Sequence, residues 1–248
     1  MSVREAGPRD APAVVLLHAF PLSGEMWRPQ LEGLSDRWRL IAPEIVFNEP
    51  SVDAAADHVA AVLDELGLAD AVVGGLSMGG YVAMAFWRRH PARVRALVLA
   101  DTRAGADTDE VRERRSRQQQ QVAGGDTTAV VEAMLDSLPG PYTKANRPEV
   151  VAGIRRLMEA ATAEGITVAL EAMKRRSDST ATLPTVSAPA LVVVGEEDSV
   201  SPPEVAREMS EILPTGRLAV IPRAGHLSSL EDPDAFNAEL ASFLASLP

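Results

Sequence analysis

Gly75-Leu76-Ser77-Met78-Gly79-Gly80 fits G-x-S-x-G, a pattern that can present a serine as a nucleophile. A serine hydroxyl attacks a carbonyl only when a neighbouring base takes its proton. A sharp turn between strand and helix would lift Ser77 above a sheet edge, and the flanking glycines leave room for that turn. The helix that follows would bring positive partial charge to the serine and leave the Met78 N–H free to donate to an oxyanion. The pentapeptide alone is common. Here an apolar run precedes it and a helical pattern follows, as the chemistry requires.

The base must come from four histidines. His58 falls in a helical pattern and His90 ends one just before Pro91. His18 follows the first apolar run. His226, in Arg223-Ala224-Gly225-His226-Leu227, follows the last strand-like run and precedes the last helix, so it is expected beside Ser77. A carboxylate should fix the imidazole tautomer. Asp198 in Gly195-Glu196-Glu197-Asp198 is favoured, its short side chain suiting a tight turn before Pro202, while Glu196 and Glu197 read as solvated loop charges. Asp101, after the strand ending at Ala100, is the alternative. The second oxyanion donor is expected from Leu17-His18-Ala19-Phe20-Pro21, as the Phe20 N–H, because Pro21 has none. His18 then reads as a structural hydrogen-bonding residue.

Positioning these groups requires buried parallel strands. Short apolar runs at Ala13–Leu17, Arg39–Ala42, Asp70–Gly75, Val94–Ala100, Ala190–Gly195 and Leu218–Ile221 alternate with helical patterns. One of these helices opens on Ser51 and closes at Gly67. The alternation predicts a doubly wound, mostly parallel α/β sheet built from residues 1–104 and 184–248. Residues 105–183 contain no such run and predict an all-helical insertion at the sheet's carboxyl edge, a substrate-covering lid. Its inward apolar residues would include Met134, Leu135, Leu138, Leu157, Met158 and Met173. Met134, Leu138 and Met158, with Leu227 beside the histidine, are the pocket candidates.

Over 248 residues the charge is −11, and the basic cluster Arg112 to Arg117 is interrupted by Glu113, so nucleic acid is not an expected partner. There is no cysteine, which excludes disulfides, thiolate metal sites and thiol nucleophiles. No apolar stretch reaches membrane-span length and the first residues lack an export signal, so the expectation is a cytoplasmic protein without a membrane partner. No metal or organic cofactor is expected.

The four motifs, in order, resemble those of the α/β-hydrolase fold family over nearly the whole chain. His18-Ala19-Phe20-Pro21 is similar to its H-G-x-P loop, with alanine for glycine. Compact lidded members such as 3-oxoadipate enol-lactonases and carboxylesterases look most similar. The resemblance implies a serine hydrolase of a small-molecule ester or lactone. A perhydrolase, or a thioesterase or cyclase on the same triad, is the alternative, and a non-catalytic binder a more distant one. One segment departs from the family pattern: Glu44-Ile45-Val46-Phe47-Asn48-Glu49-Pro50 replaces a glycine-rich turn. Either Ile45, Val46 and Phe47 border the pocket mouth, or the segment is simply a tighter connection.

Overall fold

Valine and leucine in short runs, buried on both faces, form the centre of a seven-stranded sheet in this computed structural model, which describes residues 3–47 and 49–248. Met1, Ser2 and Asn48, the last within the Glu44 to Pro50 segment, lie outside the described residues. The strands are β1 (Val3–Ala6), β2 (Ala13–Leu17), β3 (Arg39–Pro43), β4 (Ala71–Leu76), β5 (Val94–Ala100), β6 (Ala190–Gly195) and β7 (Gly216–Ile221). Their order across the sheet is β1-β3-β2-β4-β5-β6-β7. All neighbours run parallel except β1, which pairs antiparallel with β3.

The helices are α1 (Arg28–Leu34), α2 (Val52–Glu65), α3 (Met78–Arg89), α4 (Asp109–Val122), α5 (Thr128–Ser137), α6 (Pro141–Asn146), α7 (Pro148–Glu159), α8 (Ala163–Arg175), α9 (Pro203–Ile212), α10 (Ser228–Glu231) and α11 (Pro233–Ala245). Ser51 caps α2 as expected, its hydroxyl accepting from Ala54 N–H. Side chains alternate across the pleat. Val15, Leu17 and Val73 join the cluster that holds Val59, Leu63, Val82 and Phe86 of α2 and α3. Val14, Leu16 and Val72 join the opposite cluster, with Leu31 of α1 and Phe236 and Leu240 of α11. Each fully buried leucine of this kind contributes about 1.5–3 kcal/mol.

The chain first builds from β2 outward to β3, then crosses back to place β4 on the other side of β2. At such a reversal the loops leave opposite sides of a crevice at the strands' carboxyl ends. The loops after β2, β3, β4, β5, β6 and β7 all open at that edge. Helices α4 to α8 are inserted between β5 and β6. No helix among the described residues is long and apolar enough to cross a membrane.

Candidate active site

Ser77 lies between β4 and α3 with φ 55° and ψ −110°, a backbone conformation that costs on the order of 1–3 kcal/mol. The surroundings hold it there. Its N–H donates to Ala100 O at 2.9 Å, and its carbonyl accepts from Thr102 Oγ1 at 2.8 Å, so the end of β5 and the loop after it clamp the turn. The motif glycines are required by contact. A Cβ on Gly75 would lie 2.1 Å from Gly79 O, and one on Gly79 would lie 2.1 Å from Leu17 O. The turn therefore closes only with hydrogen at both positions.

His226 Nε2 lies 2.8 Å from Ser77 Oγ, and His226 Nδ1 lies 2.8 Å from Asp198 Oδ2. A carboxylate can only accept, so Nδ1 carries the proton and Nε2 faces the serine hydroxyl as acceptor. Asp198 is 3% exposed; its Oδ1 accepts from Val200 and Ser201 N–H and its Oδ2 from the Ser201 hydroxyl. Burial would raise its carboxyl, but His226 and the Ser201 donors outweigh this and hold it below its ordinary value. Ser201 was not singled out from the sequence, although a hydroxyl three residues after a turn aspartate is a local signal for such a bond.

Asp101 takes a different place. Its Oδ1 accepts from Gly195 N–H at 2.8 Å and its Oδ2 from Ser228 N–H and Oγ at 3.2 and 2.5 Å. It braces the loops that carry Asp198 and His226, and its hydrogen bonds go to Gly195 and Ser228, none to His226. Two other histidines stand apart from the site: His90 Nε2 lies 2.8 Å from Asp57, and His58 belongs to α2.

His18 is buried between the loop after β2 and the segment after β3. Its Nδ1–H donates to Ala19 O at 3.0 Å, and its Nε2 accepts from Ile45 N–H at 2.9 Å. Burial lowers its pKa, which keeps Nε2 an acceptor and ties the β2 loop to the segment after β3. Glu44 strengthens that tie by accepting from Gly24 N–H and from Arg4. Neither Phe20 N–H nor Met78 N–H has an acceptor among the described residues.

A cavity of about 460 Å³ opens beside these two amides, within the size range of small-molecule sites. Phe20, Met78, Ile45, Val46 and Phe47 wall one side, and Leu157, Ala161, Ile166 and Ala169 the other. The 45–47 segment therefore does border the pocket. The expected pocket residues do not: Met134, Leu138, Met158 and Leu227 are absent from its walls. Leu138, Met158 and Leu227 are buried in the cluster containing α1 and α11, and half-buried Met134 packs against both clusters. Their large apolar side chains at helical spacing fill core, whereas the residues of the helical segment that line the cavity include the small Ala160, Ala161, Gly165 and Ala169, which leave space. Of the six apolar residues expected to face inward from the helical segment, Leu157 alone reaches the cavity.

A strand-turn-helix serine, a histidine after the last strand and an acid after the preceding one define a recognisable class of fold and site. The chain belongs to the alpha/beta hydrolase fold family, whose profile matches residues 12–233. Carboxylesterase YbfK of Bacillus subtilis (strain 168) is 28% identical, the match covering 96% of this chain and 82% of that protein. A thermophilic esterase from Thermogutta terrifontis, solved with malate bound, superposes with a TM-score of 0.94 at 36% identity, covering 99% of this chain and 93% of the other. The enol-lactonase from Burkholderia xenovorans LB400 gives 0.90 at 27% identity, covering 99% and 96%.

Proposed function

We propose that this chain is a serine hydrolase that cleaves an uncharged carboxylic ester or lactone through an acyl-enzyme on Ser77. The observation that carries the reading is the unbroken line Ser77 Oγ, His226 Nε2, His226 Nδ1, Asp198 Oδ2, with 2.8 Å at each contact, beside an apolar cavity. His226 takes the hydroxyl proton as Ser77 Oγ bonds to the acyl carbon, and the carbonyl electrons move to an oxygen held by the Phe20 and Met78 N–H groups. The oxyanion collapses, the alkoxy group leaves with the proton from His226, and water repeats the sequence to release the acid. The esterase and enol-lactonase relatives support this substrate class.

The cavity supports an uncharged substrate. Its charged lining residues among those described are Glu44 and Glu164, with no lysine or arginine to pair a carboxylate. An unpaired charge taken out of water costs several kcal/mol. The helices between β5 and β6 act as the lid, their α7 and α8 walls completing the acyl site. The test is labelling with a fluorophosphonate together with hydrolysis of p-nitrophenyl acetate to octanoate. Both are expected in the parent and both should vanish in Ser77→Ala. Turnover persisting in that variant would sink the reading.

A further inference from the structure

Glu231 ends the short helix after the histidine loop and is 1% exposed. No step above uses it, yet its carboxylate accepts three backbone N–H groups. Oε2 takes Gly225 at 2.9 Å and Gly140 at 2.8 Å, and Oε1 takes Leu227 at 3.0 Å. Gly225 and Leu227 flank His226, so one side chain grips the backbone on both sides of the imidazole. The third donor, Gly140, belongs to the helical segment between β5 and β6.

Other contacts follow the same seam. His226 N–H donates to Leu138 O at 2.8 Å, and Arg147 donates to Glu231 O. A Cβ on Gly225 would lie 2.2 Å from Gly140 N, so the two backbones touch. A carboxylate suits this junction because it accepts at both oxygens and brings no donor of its own. Bonds to a charged acceptor are roughly twice as strong as neutral ones. A glutamine of equal size must turn its NH2 toward at least one of the three N–H groups.

We propose that Glu231 is a positioning residue: it holds the His226 loop against the helical segment, so that the imidazole stays over Ser77 only while that segment is docked. The proposal rests on reading His226 as the base. Its test compares Glu231→Gln with Glu197→Gln, whose parent carboxylate binds the same segment at Tyr142 N–H but neither amide flanking His226. Activity is measured with p-nitrophenyl butyrate per site titrated by fluorophosphonate, which leaves misfolded protein uncounted. The parallel readout is the downfield proton resonance of His226 Nδ1–H.

Glu231→Gln is expected to lower kcat by about 10- to 100-fold with KM within about twofold, and to shift or erase the resonance. Glu197→Gln should stay within about threefold of the parent, with its resonance in place. An unchanged kcat per site and an unchanged resonance in Glu231→Gln, beside a lower Tm, would leave Glu231 a merely structural acid and overturn the proposal. An equal loss in Glu197→Gln would also overturn it, since docking alone would then account for the effect. If the parent neither labels nor turns over, the hydrolase reading fails, and the resonance still tests what Glu231 does to His226.

Discussion

Asp101 and Asp198 follow neighbouring strands at one sheet edge, and their surroundings give them opposite characters. Asp198 is held below its ordinary value because its bonds to His226 and Ser201 outweigh burial. Asp101 is pushed well above its own by burial and by the nearby charge of Asp198, against its bonds to Ser228 and Gly195. The sign follows from proton binding: a folded state that keeps a proton the unfolded chain releases loses stability as pH rises. Asp101 therefore costs stability from about pH 4 upward, until its folded value is passed. Asp101→Asn should flatten that part of the stability profile, measured as urea midpoints between about pH 4 and 8, and lower kcat by no more than about tenfold. Asp198→Asn leaves the wrong imidazole tautomer and should lower kcat by about 10³- to 10⁴-fold. The reverse pattern would make Asp101 the acid. In the sequence both were plausible partners for His226, because nothing local to Asp101 reveals that Gly195 and Ser228 will claim its oxygens from 94 and 127 residues away.

At the level of elements, the central strands were legible because burial on both faces demands unbroken apolar runs. The edge strand β1 was not, since Val3-Arg4-Glu5-Ala6 needs only one apolar face, and its charges pair with Glu25, Glu44 and Arg39. The helical segment was legible as helical, yet not the device that closes it. Asp107 near its start meets Arg176 near its end at 2.5 Å, with Arg115 of α4 at 2.7 Å, and both Asp107 and Arg176 are buried. Burial would raise Asp107, but the two arginines hold it below its usual range. Glu171 of α8, bonded to Lys174, Gln119 of α4 and Arg175, is lowered to about 2. Carboxylates depressed in the folded state stabilise it above their unfolded values and lose that effect as pH falls through the folded ones. Hydrogen exchange read between about pH 5 and 2 should therefore show α4 and α8 opening before the sheet does. Asp107→Ala strands a buried guanidinium, costs about 3–5 kcal/mol and should produce the same opening near neutral pH. Simultaneous opening of sheet and helices would show that these pairs do not set the segment's stability.

At the level of the whole molecule, the cavity exists only because distant parts of the chain meet around it. Residues 18–23 and 44–47 come from the sheet's first half, Met78 from the start of α3 beside Ser77, and 157–169 from the helical segment. This is why the pocket was the least legible feature. A sequence advertises large apolar side chains, but space is made by small ones, and Ala161, Gly165 and Ala169 carry no outward sign of what they leave empty. The same geometry yields a graded prediction. The wall at Ala161 is partly buried and lies between α7 and α8, where a larger side chain projects into the cavity without disturbing a helix hydrogen bond. Each methylene that a hydrophobic site accepts or rejects changes transition-state binding by about 1–3 kcal/mol. Ala161→Phe should therefore leave p-nitrophenyl acetate hydrolysis within about threefold of the parent and lower kcat/KM for the octanoate by about tenfold or more, with the loss growing along the series. Equal losses for acetate and octanoate would mean that the mutation disturbs Ser77 and not the acyl site. No loss at any length would place the acyl chain outside this cavity, and the helical wall would then serve the leaving group.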